Sequence, residues 1–122
     1  METVSSFSQL PCAFFLKEFK QLIQDGNFIV WHSPKNLTSL ALLGLTPEIR
    51  KEILLSLTVA DYSSGPEPDR DFPGEILWKF GKEVGDKQVY IKLKIDDQGH
   101  RKVAKCLSFH IAEHEIHYPH KP

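Results

Sequence analysis

Cysteine is nearly absent from this chain: Cys12 and Cys106 are the two that occur in 122 residues, and they share no CxxC spacing. Two cysteines are too few for a disulfide framework, so reduced thiols in a cytoplasmic protein are the simpler expectation. Long apolar runs are missing as well. The richest, residues 40–45 and 53–57, fall far short of the roughly 20 residues a helical bilayer span needs. No basic start followed by an apolar stretch and a small-residue cleavage site is seen, and no export signal is expected. Walker, GxGxxG, HExxH and GxSxG signatures are all lacking, as are internal repeats and low-complexity segments.

What is there suits one domain: 41% of the residues are hydrophobic and 25% charged, an ordinary globular mix over a typical domain length. A net charge of −1 argues against indiscriminate nucleic-acid binding, but the charge is unevenly spread. Residues 1–78 carry six Lys/Arg against ten Asp/Glu, whereas residues 79–110 carry eight against four. A basic segment following an acidic one fits a local anionic ligand.

Residues 1–10 lack periodicity and are expected to be flexible. Pro11 then reads as the opening of a helix, with Phe15, Leu16, Phe19, Leu22 and Ile23 on one stripe and Asp25-Gly26-Asn27 ending it. Residues 28–31 read as a brief edge strand. Ser33-Pro34 and Thr46-Pro47-Glu48 each carry the capping residue and first-turn proline of a helix start. The first of these helices is expected to bury Leu37, Leu40, Leu42 and Leu43 and to stop at Gly44; the second runs through Ile49, Ile53, Leu54 and Leu57. Thr58 and Asp61 have capping-box spacing. Residues 63–74, with three prolines and two glycines, read as a loop, either mobile and functional or a rigid connector.

Beyond the loop the period becomes two. Ile76, Trp78 and Phe80 alternate with Leu77, Lys79 and Gly81; Val89, Ile91, Leu93 and Ile95 with Tyr90, Lys92 and Lys94. Val103, Lys105, Leu107, Phe109 and Ile111 then alternate with Ala104, Cys106, Ser108 and His110. Short turns join the runs, so the expected fold is α+β: N-terminal helices packed on a C-terminal antiparallel sheet of three strands or slightly more. Residues 112–122 form a tail.

Pleating then gathers Lys79, Tyr90, Lys92, Lys94, Ser108 and His110 on the face away from the core. These residue types suit RNA cleavage without a metal. Attack of a 2′-hydroxyl on its phosphate needs a proton acceptor, a proton donor and cations for the developing charge. His110 is a base or acid, Tyr90 a hydrogen-bond or proton donor, and Lys79 and Lys92 are phosphorane stabilisers. Lys94, Lys82 and Ser108 are assigned to RNA binding. Alternation alone does not make a site, because every antiparallel sheet with one wet face exposes polar residues there. His110, His114, His117 and His120 recur at spacings of four, three and three, but Pro119 argues for an extended tail, so no metal site and no cofactor is expected. Cys106 falls on the face of His110 by alternation and is read as a filler; Cys12 has no sequence-linked histidine.

The runs LGLTPEIRKEILLSLTVADY, GPEPDRDFPG, WKFGKEVGDKQVYIKLK and CLSFH resemble the MqsR-type toxins of bacterial toxin–antitoxin systems, over about residues 15–113. The resemblance implies a RelE/barnase-like fold, endoribonuclease (mRNA interferase) activity in the cytoplasm, an RNA substrate and a neutralising antitoxin protein with a DNA-binding domain. It implies no membrane partner and no small-molecule cofactor. Tyr90 and Lys92 match the family's functional strand, Lys79 falls where the best-known member has glutamine, and His110 where it has lysine. The family lysine that follows the acidic-aromatic pair (here Asp61-Tyr62) would fall near Ser63 or Ser64 and is absent. A non-catalytic RNA- or protein-binding module of the same fold is the alternative.

Overall fold

A computed structural model describes residues 3–122 of the chain. Helix α1 covers Thr3–Gln24, strand β1 Phe28–Val30, helix α2 Pro34–Leu43 and helix α3 Pro47–Leu55. A 3₁₀ turn, Val59–Asp61, leads into β2 (Tyr62–Pro68), β3 (Ile76–Val84), β4 (Lys87–Asp97) and β5 (Lys102–Ile111). The fold is α+β, with helices first and strands after, but the sheet has five strands in the order β1-β5-β4-β3-β2. Strand β1 runs parallel to β5 and every other pairing is antiparallel.

The helix starts form as their side chains dictate. Ser33 Oγ accepts from the Asn36 N–H at 3.2 Å and Thr46 Oγ1 from the Ile49 N–H at 3.1 Å, each with proline in the first turn. Asp61 accepts from the Thr58 N–H at 2.9 Å while Thr58 Oγ1 accepts from Ala60, closing the capping box. Gly44, at φ 69°, ends α2. Helix α1, by contrast, begins at Thr3 and carries Pro11 inside it. Of the stretch expected to be flexible, Met1 and Glu2 lie outside the described residues.

One side of the sheet packs on α1 and α3. Cys12, Leu16 and Phe19 from α1 and Leu54 from α3 are buried against Trp78, Phe80, Ile91, Leu93 and Phe109. Phe15 stacks on Trp78 with centroids 4.9 Å apart. Two expectations fail here. Leu37 and Leu42 of α2 are exposed, and the helix buries Asn36 and Ser39 instead. The reason is the edge of β5: β1 pairs only with residues up to Cys106, so the edge beyond needs other partners. Asn36 supplies them, donating to the Trp31 and Leu107 carbonyls at 2.9 and 3.1 Å and accepting from the Phe109 N–H at 3.0 Å. Ser39 Oγ accepts from the Ile111 N–H at 2.9 Å.

The second failure is the alternation of β5. Lys92 pairs with Ser108 but Leu93 with Cys106, so Leu107 is an extra residue, a β-bulge. The bulge lets Ala104 and Cys106 face the core as well as Phe109, all fully buried. Cys106 therefore does not share the face of His110, and Leu107 does not join Phe109.

Residues 63–74 are not all loop. Residues 62–68 form β2, which the prolines and Gly65 disguise. Gly65 has φ +119°, and a Cβ there would come 2.8 Å from the Leu77 carbonyl oxygen, so only glycine lets β2 approach β3 this closely. The tail runs back across the outer face without forming a helix. Ile116 and Tyr118 sit where a Cβ on Gly81 would collide with them, and Tyr118 Oη donates to Gln88 Oε1 at 2.5 Å.

Burial pushes both thiols up to about 12. Neither cysteine is expected to react with a thiol reagent at pH 8 in the folded chain, and both should react in denaturant; rapid native labelling of Cys106 would contradict the bulged register. Asn36→Leu strands buried backbone groups at the β5 edge and should cost at least about 2 kcal/mol, measured as a lowered urea midpoint.

Candidate functional site

The bulge sets the ranks of side chains on the outer face. Lys92 of β4 lies between Lys79 of β3 and Ser108 of β5, and in the next rank Tyr90 pairs with His110. The Tyr90 and His110 rings tilt at 41° with centroids 5.3 Å apart. His110 Nδ1 lies 3.0 Å from the Ile111 carbonyl oxygen. A carbonyl can only accept, so Nδ1 carries the hydrogen and Nε2 of the neutral ring keeps its lone pair for an incoming proton. Burial, against the nearby Lys79 charge, raises the Tyr90 phenol and keeps it protonated at neutral pH.

Charge around this pair is controlled by a residue not foreseen. Glu67 of β2 accepts from Lys79 at 2.9 Å and from Ser64 Oγ at 3.1 Å, and the Lys79 bond holds its carboxyl below the ordinary range. The same bond raises Lys79. Its sequence signal was hidden because residues 63–74 read as loop. Register also places Ser64 directly opposite Lys79. No carboxylate lies within ion-pair distance of Lys92 among the described residues.

Tyr90, Lys92, Leu107, Ser108 and His110 form the floor of a groove of about 730 Å³. Trp31 and Lys35 stand on the α2 side, Asp69, Asp71 and Phe72 on the side of the β2–β3 connection, and residues 112–117 of the tail close a third side. Lys35 bridges to Glu113 of the tail at 2.9 Å, an exposed pair that contributes little to stability. His114 and His117 thus reach the groove, while His120 stacks on Tyr62 with centroids 4.9 Å apart. Among the described residues, no group of three or more His, Cys, Asp and Glu is arranged to hold a metal ion.

Two residues expected to bind RNA are placed otherwise. Lys94 lies on the outer face but its side chain is 2% exposed, bonded to Asp69 at 2.9 Å and Glu75 at 2.5 Å beneath the Phe72 ring. It anchors the β2–β3 connection and offers no free cation. Lys82 pairs with Val89 on the core side and reaches Asp61 at 3.2 Å, away from the groove. The basic segment is likewise partly neutralised: Lys105 bonds Asp96 at 2.8 Å and Lys102 bonds Glu18 at 2.8 Å.

Comparison with protein families, with curated proteins and with solved structures finds no match to this chain. Among the described residues, no helix is long and apolar enough to cross a membrane.

Lys94→Met leaves the buried Asp69 carboxylate and the partly exposed Glu75 without their counter-charge and is expected to cost about 3 kcal/mol in denaturant unfolding. The folded-state carboxyls of Glu67, Asp69 and Asp96 are all lowered by lysine partners. Their stabilisation is therefore complete above the unfolded carboxylate range near pH 4 and is lost as pH falls through the folded values. Urea midpoints measured from pH 7 to pH 3 should fall, and fall less steeply in Lys94→Met.

Proposed function

We propose that this chain is an endoribonuclease toxin of the MqsR type, RelE/barnase-like in fold, acting on mRNA in the cytoplasm and neutralised by a dedicated antitoxin protein. The observation that carries the reading is the Tyr90–His110 pair in the rank beside Lys79, Lys92 and Ser108. Each group the reaction needs is then supplied by the chain. His110 Nε2 takes the 2′-hydroxyl proton as the 2′-oxygen bonds to phosphorus. Lys92 and Lys79 stabilise the phosphorane charge. The bond from phosphorus to the 5′-oxygen breaks, and protonated Tyr90 gives its hydrogen to that oxygen, leaving a 2′,3′-cyclic phosphate and a 5′-hydroxyl. The cation that the resembling family carries near Ser64 is replaced from across the strand pair, since Lys79 is the register partner of Ser64.

The ion pairs favour a second reading. Lys79 is held by Glu67, Lys94 is buried and Lys105 is bonded to Asp96, so Lys92 alone of the four outer-face lysines is without a salt bridge among the described residues. That suits a module that binds RNA or protein and does not cleave.

Purified chain, free of any partner, is expected to cut single-stranded mRNA and leave cyclic phosphate ends. His110→Ala should lower the rate about 10²–10⁴-fold, and Tyr90→Phe should also lower it, with the fold retained by circular dichroism. Intact RNA after incubation with folded protein would sink the catalytic reading and leave the binding module.

A further inference from the structure

The groove has two chemically different ends. Tyr90, Lys92, Ser108 and His110 make the polar one. The other is apolar and aromatic: Leu107 at the bulge, Leu77 of β3, and two large rings, Trp31 and Phe72. Trp31 and Phe72 are 45% and 44% exposed, and they stand on opposite walls of the groove. Trp31 follows β1 and is tied to the far edge of β5 by its N–H bond to the Cys106 carbonyl at 3.0 Å. Phe72 comes from the β2–β3 connection and rests on the buried Lys94, 4.3 Å from its ring centroid. Exposed aromatic rings facing one groove have no core-packing reason to be there, and rings held by a strand edge and a buried ion cluster stay in place when a ligand enters.

We infer that Trp31 and Phe72 are stacking platforms for an unpaired nucleobase whose phosphate lies over Lys92, Ser108 and His110. The spacing fits. Lys92 and Lys94 are two residues apart on one strand, about 6.8 Å, a separation the sugar of one nucleotide bridges. The anion has one unpaired ammonium, a hydroxyl and an imidazole to receive it. Two of the carboxylates in the groove, Asp69 and Glu113, are already engaged by Lys94 and Lys35. The other two, Asp71 and Glu115, are exposed on the rim. Asp71, next to Phe72 on the β2–β3 connection, can accept from exocyclic amino groups of a base at the aromatic end. The occupant is therefore single-stranded nucleic acid: a paired duplex hides its base faces and cannot offer one to either ring. This inference rests on the proposed RNA reading and narrows it to a base-stacking subsite.

The chain contains its own reporter, because its two tryptophans divide into Trp31 in the groove and Trp78 in the core. The probe is an eight-nucleotide single-stranded RNA with 2′-O-methyl sugars, which cannot be cleaved by 2′-oxygen attack. Titrated into the full chain, it should quench tryptophan fluorescence, and Trp31→Phe should abolish the quench while binding, followed by anisotropy of labelled RNA, persists. Phe72→Ala should weaken binding roughly tenfold and Phe72→Tyr should restore it, as stacking predicts. The same RNA annealed to its complement should bind at least roughly tenfold more weakly. Absence of quenching, equal affinity for duplex, or indifference to Phe72→Ala would overturn the inference, including the case in which the groove holds a protein segment instead. The two readings fail separately. Cleavage lost in His110→Ala but untouched by Phe72→Ala would sink the stacking subsite alone. Quenching and tight binding without cleavage of ordinary RNA would sink catalysis alone.

Discussion

Between Cys106 and Ser108 the last strand carries one residue more than its partner, and much of the molecule is arranged around that extra residue. Before it, Ala104 and Cys106 point into the core; after it, Phe109 does. An unbroken two-residue alternation could not bury both sets. The bulge also brings Ser108 beside Lys92 and His110 beside Tyr90. Asn36 grips the strand across the bulge, bonding the Leu107 carbonyl and the Phe109 N–H with one side chain. Helix α2 is thus docked largely through polar atoms, which is why Leu37 and Leu42 are left outside.

Charge is organised by the same face. Lysines stand side by side across the strands, Lys79 opposite Lys92 and Lys94 opposite Lys105, and like charges so placed repel. The repulsion is relieved by carboxylates: Glu67 for Lys79, Asp69 and Glu75 for Lys94, Asp96 for Lys105. Lys92 is left over. The buried Lys94 cluster has a second consequence, since it holds the β2–β3 connection, and with it Phe72, at the rim of the groove. Stability of the loop and shape of the groove thus depend on one ion cluster, so damage at Lys94 would be felt at a site it does not enter.

Much of the local structure was legible because it depends on neighbours in sequence. The caps at Ser33, Thr46 and Thr58, the stop at Gly44 and the alternation of β3 and β4 are each settled by a few adjacent residues. The convergence of Lys79, Tyr90, Lys92, Ser108 and His110 on one face was legible for the same reason, because pleating follows from the period. Strand β2 was not, because Gly65, Pro66 and Pro68 are turn residues in isolation, and Ser64, Glu67 and Pro68 pair only when β3 is present to receive them.

The sequence by itself determined where α2, α3 and the 3₁₀ turn start, where β3 and β4 alternate, and which polar side chains share a face, since these are short-range consequences of capping, proline geometry and pleat. Tertiary structure decided which of those side chains remain free. Whether a lysine is a ligand-binding cation or a buried anchor depends on carboxylates that lie 12 residues away for Lys79 and 25 and 19 for Lys94 in sequence. The bulge at Leu107 has the same origin. It answers the demand of the core for Cys106 and Phe109 together and the reach of Asn36 from 71 residues upstream, neither of which is written in the alternation of β5 itself.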